Sequence, residues 1–84
     1  MPESREQILQ TISEIVADTL MVPDVKMTEA TTAADIDGWD SLTHVQIVVG
    51  IETRYNIRFS FTEVAQLENA GSLIDAVQSR TKST

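Results

Sequence analysis

Cysteine is absent from the 84 residues, which removes disulfides, thiol nucleophiles and thiolate metal sites together. Histidine occurs once, as His44, too little for a zinc site without cysteine partners. Aromatics stop at Trp39, Tyr55, Phe59 and Phe61, so the 42% hydrophobic fraction is mainly Leu, Ile, Val and Ala, a composition that suits packed helices. No apolar run approaches the ~18 residues of a membrane span, and the opening MPESREQ lacks the basic flank and apolar stretch of a secretion signal. A cytoplasmic chain that neither spans nor joins a membrane is the expectation. Basic residues are few as well, six against thirteen acids, for a net charge of -7. That surface repels phosphate backbones and argues against nucleic acid, whereas basic patches on other proteins would be attracted; plain solubility explains the charge equally well.

Eighty-four residues make one small domain, 1–84, with a core worth about 3–5 kcal/mol and little room for a deep cleft. Ser4 and Gln7 form a capping-box pattern ahead of Ile8, Leu9, Ile12, Ile15, Val16 and Leu20, which predicts a first helix over about 4–20, ended by Pro23. From Met21 to Trp39 the chain reads as a long loop holding at most a short helical turn. Asp40 and Ser41 open a second helix that continues to Tyr55, with Asn56 as its stop. Ser60 to Glu63 and Ser72 to Asp75 each match the [ST]-x-x-[DE] cap pattern, predicting a short third helix and a fourth over about 73–80 with Leu73, Ile74 and Val77 inward. Residues 81–84 are expected to form a loose tail. Asn56 to Phe61 alternate in strand period, but a lone strand has no partner, so the segment is expected as an extended connection burying Ile57 and Phe59.

Catalytic and metal chemistry find little support. Ala33 to Gly38 resembles a calcium loop only if Gly38 takes its sixth position, and Ala33 and His44 then stand where ligands are required. Ser41 and His44 lie one helical turn apart, a spacing open to a nucleophile and base, yet no G-x-S-x-G elbow surrounds the serine. His44 is expected as a partly exposed surface residue. Ser41 itself stands where unpaired backbone N–H groups and the positive helix end would stabilise a phosphate ester, although Asp40 and Ser41 serve a plain cap just as well. At 100° per residue, Leu42, Val45 and Val49 form one stripe of the second helix, and Val48, Ile51 and Tyr55 another with Ile47 beyond it. Together they span about 220°, against the ~100° that covering a core requires. Part of this arc faces water, a cavity or a partner, unless the long loop folds over it.

The long loop, the Gly38-Trp39-Asp40-Ser41-Leu42 junction, the valine-rich helix with Val45, Val48 and Ile51, and two further capped helices resemble the acyl carrier proteins over nearly the whole chain. The resemblance implies an all-α four-helix bundle with a long loop between the first two helices and a short third one. It implies 4′-phosphopantetheine attached covalently to Ser41 and bearing acyl or aminoacyl thioesters, so the working sulfur would be the cofactor's. The protein would be a monomeric carrier, not an enzyme. Its partners would be a phosphopantetheinyl transferase, an acyl- or aminoacyl-loading ligase, and downstream synthases or transferases with basic docking patches. Asp40 would cap the helix beside the modifying enzyme, Leu42 and Val49 would contact partners, and Val45, Val48 and Ile51 would line the core. Acidic docking residues would be Asp35, Asp37, Glu52 and Glu63. Carriers of bacterial fatty-acid synthesis typically show a strongly acidic second helix; here Thr43, His44, Gln46, Thr53 and Arg54 hold its polar positions, and the acids gather at Asp35, Asp37, Asp40, Glu63 and Glu68. The pattern is closer to carriers of specialised pathways. The alternatives are an aminoacyl or peptidyl carrier and an unmodified interaction module.

Overall fold

The computed structural model describes residues 4–23, 25–65 and 69–81. Its first helix, α1, runs Arg5–Leu20. Ser4 caps it reciprocally: the Gln7 N–H donates to Ser4 Oγ at 3.2 Å, and the Ser4 N–H to Gln7 Oε1 at 2.9 Å. The chain leaves α1 at Met21, which takes the left-handed conformation (φ 59°) and donates to the Ala17 and Asp18 carbonyls. Pro23 is not the terminator; it follows a helix already closed by this turn.

The long connection holds one 3-10 turn, Ala33–Asp35, pinned by the Thr32 N–H and hydroxyl, both donating to Asp35 Oδ2. Helix α2 spans Ser41–Tyr55 and closes at Asn56, again left-handed (φ 56°). The connection 57–60 is neither helix nor strand, with Ile57 and Phe59 partly buried against the core. Helix α3 is one turn, Phe61–Ala65, opened by the predicted Ser60/Glu63 reciprocal bonds.

Helix α4, Ala70–Thr81, starts earlier than Ser72 predicts. Asn69 Oδ1 accepts from the Ser72 N–H at 2.8 Å and from its hydroxyl at 3.1 Å, so Ser72 is a client of the cap and not the cap. The two N–H groups before it, on Ala70 and Gly71, donate to the loop carbonyls of Thr31 and Glu29, each at 2.8 Å. The loop thereby docks onto α4. Arg5 completes that junction: one edge of its guanidinium meets Glu29 and the other reaches Asp75 and Gln78, tying α1, the loop and α4 together. The α4 helix includes Thr81; the rest of the expected tail and Glu68 lie outside the described residues.

The core is a column of Ile8, Ile12 and Val16 from α1, Ile47, Val48 and Ile51 from α2, and Leu73, Ile74 and Val77 from α4, with Trp39 beside them. Each full burial of such a side chain stabilises by about 1.5–3 kcal/mol. Apart from one isolated bridge between Thr32 and Asn69, the described residues are helix, turn and connection. One residue contradicts the expected core: Val45 is 53% exposed, whereas Ile47 is fully buried. The cause is the direction from which α1 approaches. A Cβ on Gly50 would lie 2.9 Å from Ile15 Cγ2, so α1 packs on the Gly50 side of α2 and draws Ile47 inward, and Val45 is left on the far edge.

Candidate functional site

Gly38, at φ 90°, turns the chain where a side chain would be strained. Trp39 follows, 9% exposed and part of the core, which anchors the segment immediately before α2. Its indole N–H donates to His44 Nδ1 at 3.1 Å, and the two rings stack with centroids 6.0 Å apart and planes 26° apart. His44 is thus partly exposed, as expected, and in addition engaged by Trp39. The pair eluded sequence reasoning, whose one available signal was an aromatic and a histidine five apart across a helix start.

Asp40 is the cap. Its Oδ1 accepts the Leu42 and Thr43 N–H groups, each at 3.0 Å, while its own N–H donates to Thr43 Oγ1 at 2.7 Å. The Thr43 hydroxyl donates in turn to the Gly38 carbonyl at 2.9 Å. The Thr43 N–H above all, with the Leu42 N–H, holds the Asp40 carboxyl below its usual range. Ser41 is the first residue of α2, exposed, and its hydroxyl makes no hydrogen bond among the described residues. One expectation changes here. Two of the backbone N–H groups that a phosphate at Ser41 could have used already belong to Asp40.

Leu42 is 69% and Val49 51% exposed. With Val45 they form the outward stripe, and the loop leaves them uncovered because its carbonyls are docked on α4. The expected acidic residues fare differently. Asp37 is exposed, and Asp35 is exposed but hydrogen-bonded to Thr32. Glu52 turns back to accept the Phe59 N–H at 2.8 Å. Glu63 accepts the Ser60 N–H and pairs with Arg80. No group of acidic or histidine side chains able to hold a metal occurs among the described residues, and no helix there is long and apolar enough to cross a membrane.

A small bundle with an exposed, unengaged serine heading a helix that is apolar on its outer face defines a protein that presents a group instead of enclosing one. The family described as phosphopantetheine attachment site matches residues 10–77, and the chain belongs to it, as an acyl carrier protein family member. The acyl carrier protein of Acidothermus cellulolyticus is 29% identical over 83 residues, covering 99% of each chain. The meromycolate extension acyl carrier protein of Mycobacterium tuberculosis is 27% identical over 93% of this chain and 68% of that one. The solution structure of holo acyl carrier protein from Geobacter metallireducens superposes with a TM-score of 0.82 at 33% identity, covering 90% of this chain and 87% of that one. The expected all-α four-helix acyl-carrier fold is therefore the observed one. The protein is a carrier that bears covalent phosphopantetheine and not an enzyme. Proteins of this family are served by a phosphopantetheinyl transferase and by biosynthetic enzymes. When bound, the cofactor supplies the thiol that holds an acyl group as a thioester, chemistry this cysteine-free chain lacks.

Proposed function

We propose that Ser41 is the attachment residue and that the carrier serves a specialised acyl pathway in place of bulk fatty-acid synthesis. The observation that carries the first part is the Ser41 hydroxyl: exposed, bound to nothing, and fixed in place by the Asp40 cap and the buried Trp39 on its N-terminal side. Modification there displaces no internal bond. Asp40 caps the helix and borders the modifying enzyme's approach. Leu42, Val45 and Val49 form the surface that enzymes acting on the arm would contact, with the exposed Asp37 shortly before it along the chain.

The second part rests on the same helix. Of its exposed residues, Ser41, Leu42, Val45, Gln46, Val49 and Thr53 are uncharged and Arg54, in the last turn, is basic, while Glu52, its one acid, is turned to the Phe59 backbone. An enzyme that reads an acidic second helix finds no carboxylate row on it.

Incubation with coenzyme A and a broad-specificity phosphopantetheinyl transferase should add one phosphopantetheine mass to the wild type and none to Ser41→Ala. An unmodified wild type, or a modified Ser41→Ala, refutes the assignment. The holo protein should also accept malonyl groups from the transferase of bulk fatty-acid synthesis much more slowly than that pathway's own carrier does; equal rates would overturn the specialised reading.

A further inference from the structure

The hydrogen-bond donors around Ser41 are nearly all committed. The Leu42 and Thr43 N–H groups go to the Asp40 side chain, the His44 N–H to the Asp40 carbonyl at 2.8 Å, and the Thr43 hydroxyl to Gly38. The Trp39 N–H goes to Ile36 and its indole N–H to His44. What is left within one turn, among the described residues, is the N–H of Ser41 itself, the N–H of Gly38 before it, and the second ring nitrogen of His44, a side-chain donor one turn along α2.

That second nitrogen has a defined state. An indole N–H can only donate, so His44 Nδ1 presents its lone pair to Trp39, and the neutral ring carries its proton on Nε2. The Nδ1 edge is turned to a buried tryptophan, so Nε2 lies on the ring edge away from it. His44 stands three residues after Ser41 on α2, a spacing that brings the two Cβ atoms to about 5–6 Å.

A phosphodiester on Ser41 Oγ carries one negative charge on two non-bridging oxygens. The backbone donors that usually receive such an anion at a helix start are taken, and the Asp40 carboxylate repels it. We propose that the His44 Nε2–H, oriented by Trp39, is the donor that holds the phosphate of the Ser41-linked arm. The arm then leaves the serine on the His44 side of α2 and not over Leu42. Trp39 acts as a positioning residue, touching no part of the arm itself. The proposal rests on Ser41 being the attachment residue.

Two substitutions separate the roles of the ring nitrogens. His44→Asn keeps an acceptor near the Nδ1 position for Trp39 and deletes the distal donor; His44→Gln restores a donor at the distal position. All variants are converted to holo protein and compared by phosphorus NMR, with long-range proton–nitrogen correlation reporting the imidazole tautomer. Wild type should show the Nε2-protonated ring, with its Nε2 signal moving between the apo and holo forms. The phosphorus resonance should shift in His44→Asn, return toward wild type in His44→Gln, and shift in Trp39→Phe as that ring loses its fixed tautomer. A phosphorus resonance indifferent to His44→Asn, with Nε2 unmoved by loading, overturns the proposal while leaving Ser41 as the attachment point. A wild type with no phosphodiester resonance, or one surviving in Ser41→Ala, overturns both.

Discussion

Gly50→Ala is expected to destabilise a helix whose propensity it improves. In an exposed helix interior, Ala is favoured over Gly by about 1 kcal/mol. At Gly50 the new Cβ would sit 2.9 Å from Ile15 Cγ2, roughly 0.6–1 Å inside ordinary carbon–carbon contact. The obstacle cannot swing aside, because Cγ2 is borne directly on Cβ of a β-branched side chain with essentially one helical rotamer. Either α1 and α2 separate or Ile15 leaves its rotamer, and overpacking of this kind costs about 1–3 kcal/mol. The net expectation is a loss of about 1 kcal/mol, equivalent to ~4–8 °C in Tm for a domain of this size.

Urea denaturation of Gly50→Ala, Ile15→Ala and the double variant measures it. Removing Cγ2 from Ile15 abolishes the clash, so the double variant should be more stable than the sum of the single losses by about 1–2 kcal/mol, a coupling expected of touching residues. A Gly50→Ala protein more stable than wild type, with additive changes in the double variant, would refute the close approach and with it the explanation of why Ile47 is buried.

The burial assignments on α2 predict that Ile47→Ala costs about 2–5 kcal/mol and Val45→Ala less than about 0.5, measured by thermal or urea unfolding; equal losses would reverse the two residues' roles. Leu42→Asp should leave Tm almost unchanged while lowering kcat/KM of an enzyme acting on the arm, and an unaltered rate would remove Leu42 from the docking surface. Acid sensitivity should trace to Glu29 and Asp40, whose carboxyls are held below their ordinary values of 4.5 and 3.8, Glu29 chiefly by its hydrogen bond from Arg5 and Asp40 chiefly by the Thr43 N–H. A depressed carboxyl stabilises above its unfolded value and loses that contribution as pH falls through the folded one. Glu29→Gln and Asp40→Asn should therefore flatten the fall in stability below about pH 4.5 in acid titrations followed by circular dichroism, and an unchanged acid limb would refute the linkage.

Local signals in the sequence located what is local. Ser4/Gln7, Asp40 and Ser60/Glu63 mark helix starts because a cap needs only its own turn, and Asn56 marks a stop for the same reason. Ser72/Asp75 misled because the pattern there does other work: Asp75 pairs with Arg5 on α1, and Asn69 receives the Ser72 N–H. The first N–H groups of α4 find loop carbonyls some forty residues upstream, which no capping motif encodes. The apolar arc of α2 was legible in width but not in orientation. The stripe grouped Leu42, Val45 and Val49, which are all exposed, whereas the resemblance placed Leu42 and Val49 outward and Val45 inward; Val45 against Ile47 depended on where α1 lies. Gly50, among the polar positions of that helix, was the clue, since a glycine mid-helix commonly marks a close approach.

The acidity of the chain says less about docking than its count suggests. Glu29 and Asp75 are paired with Arg5, and Glu63 with Arg80. Asp35, Asp40 and Glu52 keep their charge, but their carboxylates are held to nearby backbone N–H groups and cannot turn to a partner. Next to Ser41 this leaves Asp37 as the exposed acid with no hydrogen bond or ion pair of its own among the described residues. If enzymes approach along Leu42, Val45 and Val49, contact is mostly apolar, and added salt should raise KM for the carrier only modestly, since screening acts on exposed charges and leaves apolar burial intact. Most of that small dependence should vanish in Asp37→Asn. A steep salt dependence unaffected by Asp37→Asn would place the recognition elsewhere on the acidic surface and refute docking through the α2 stripe.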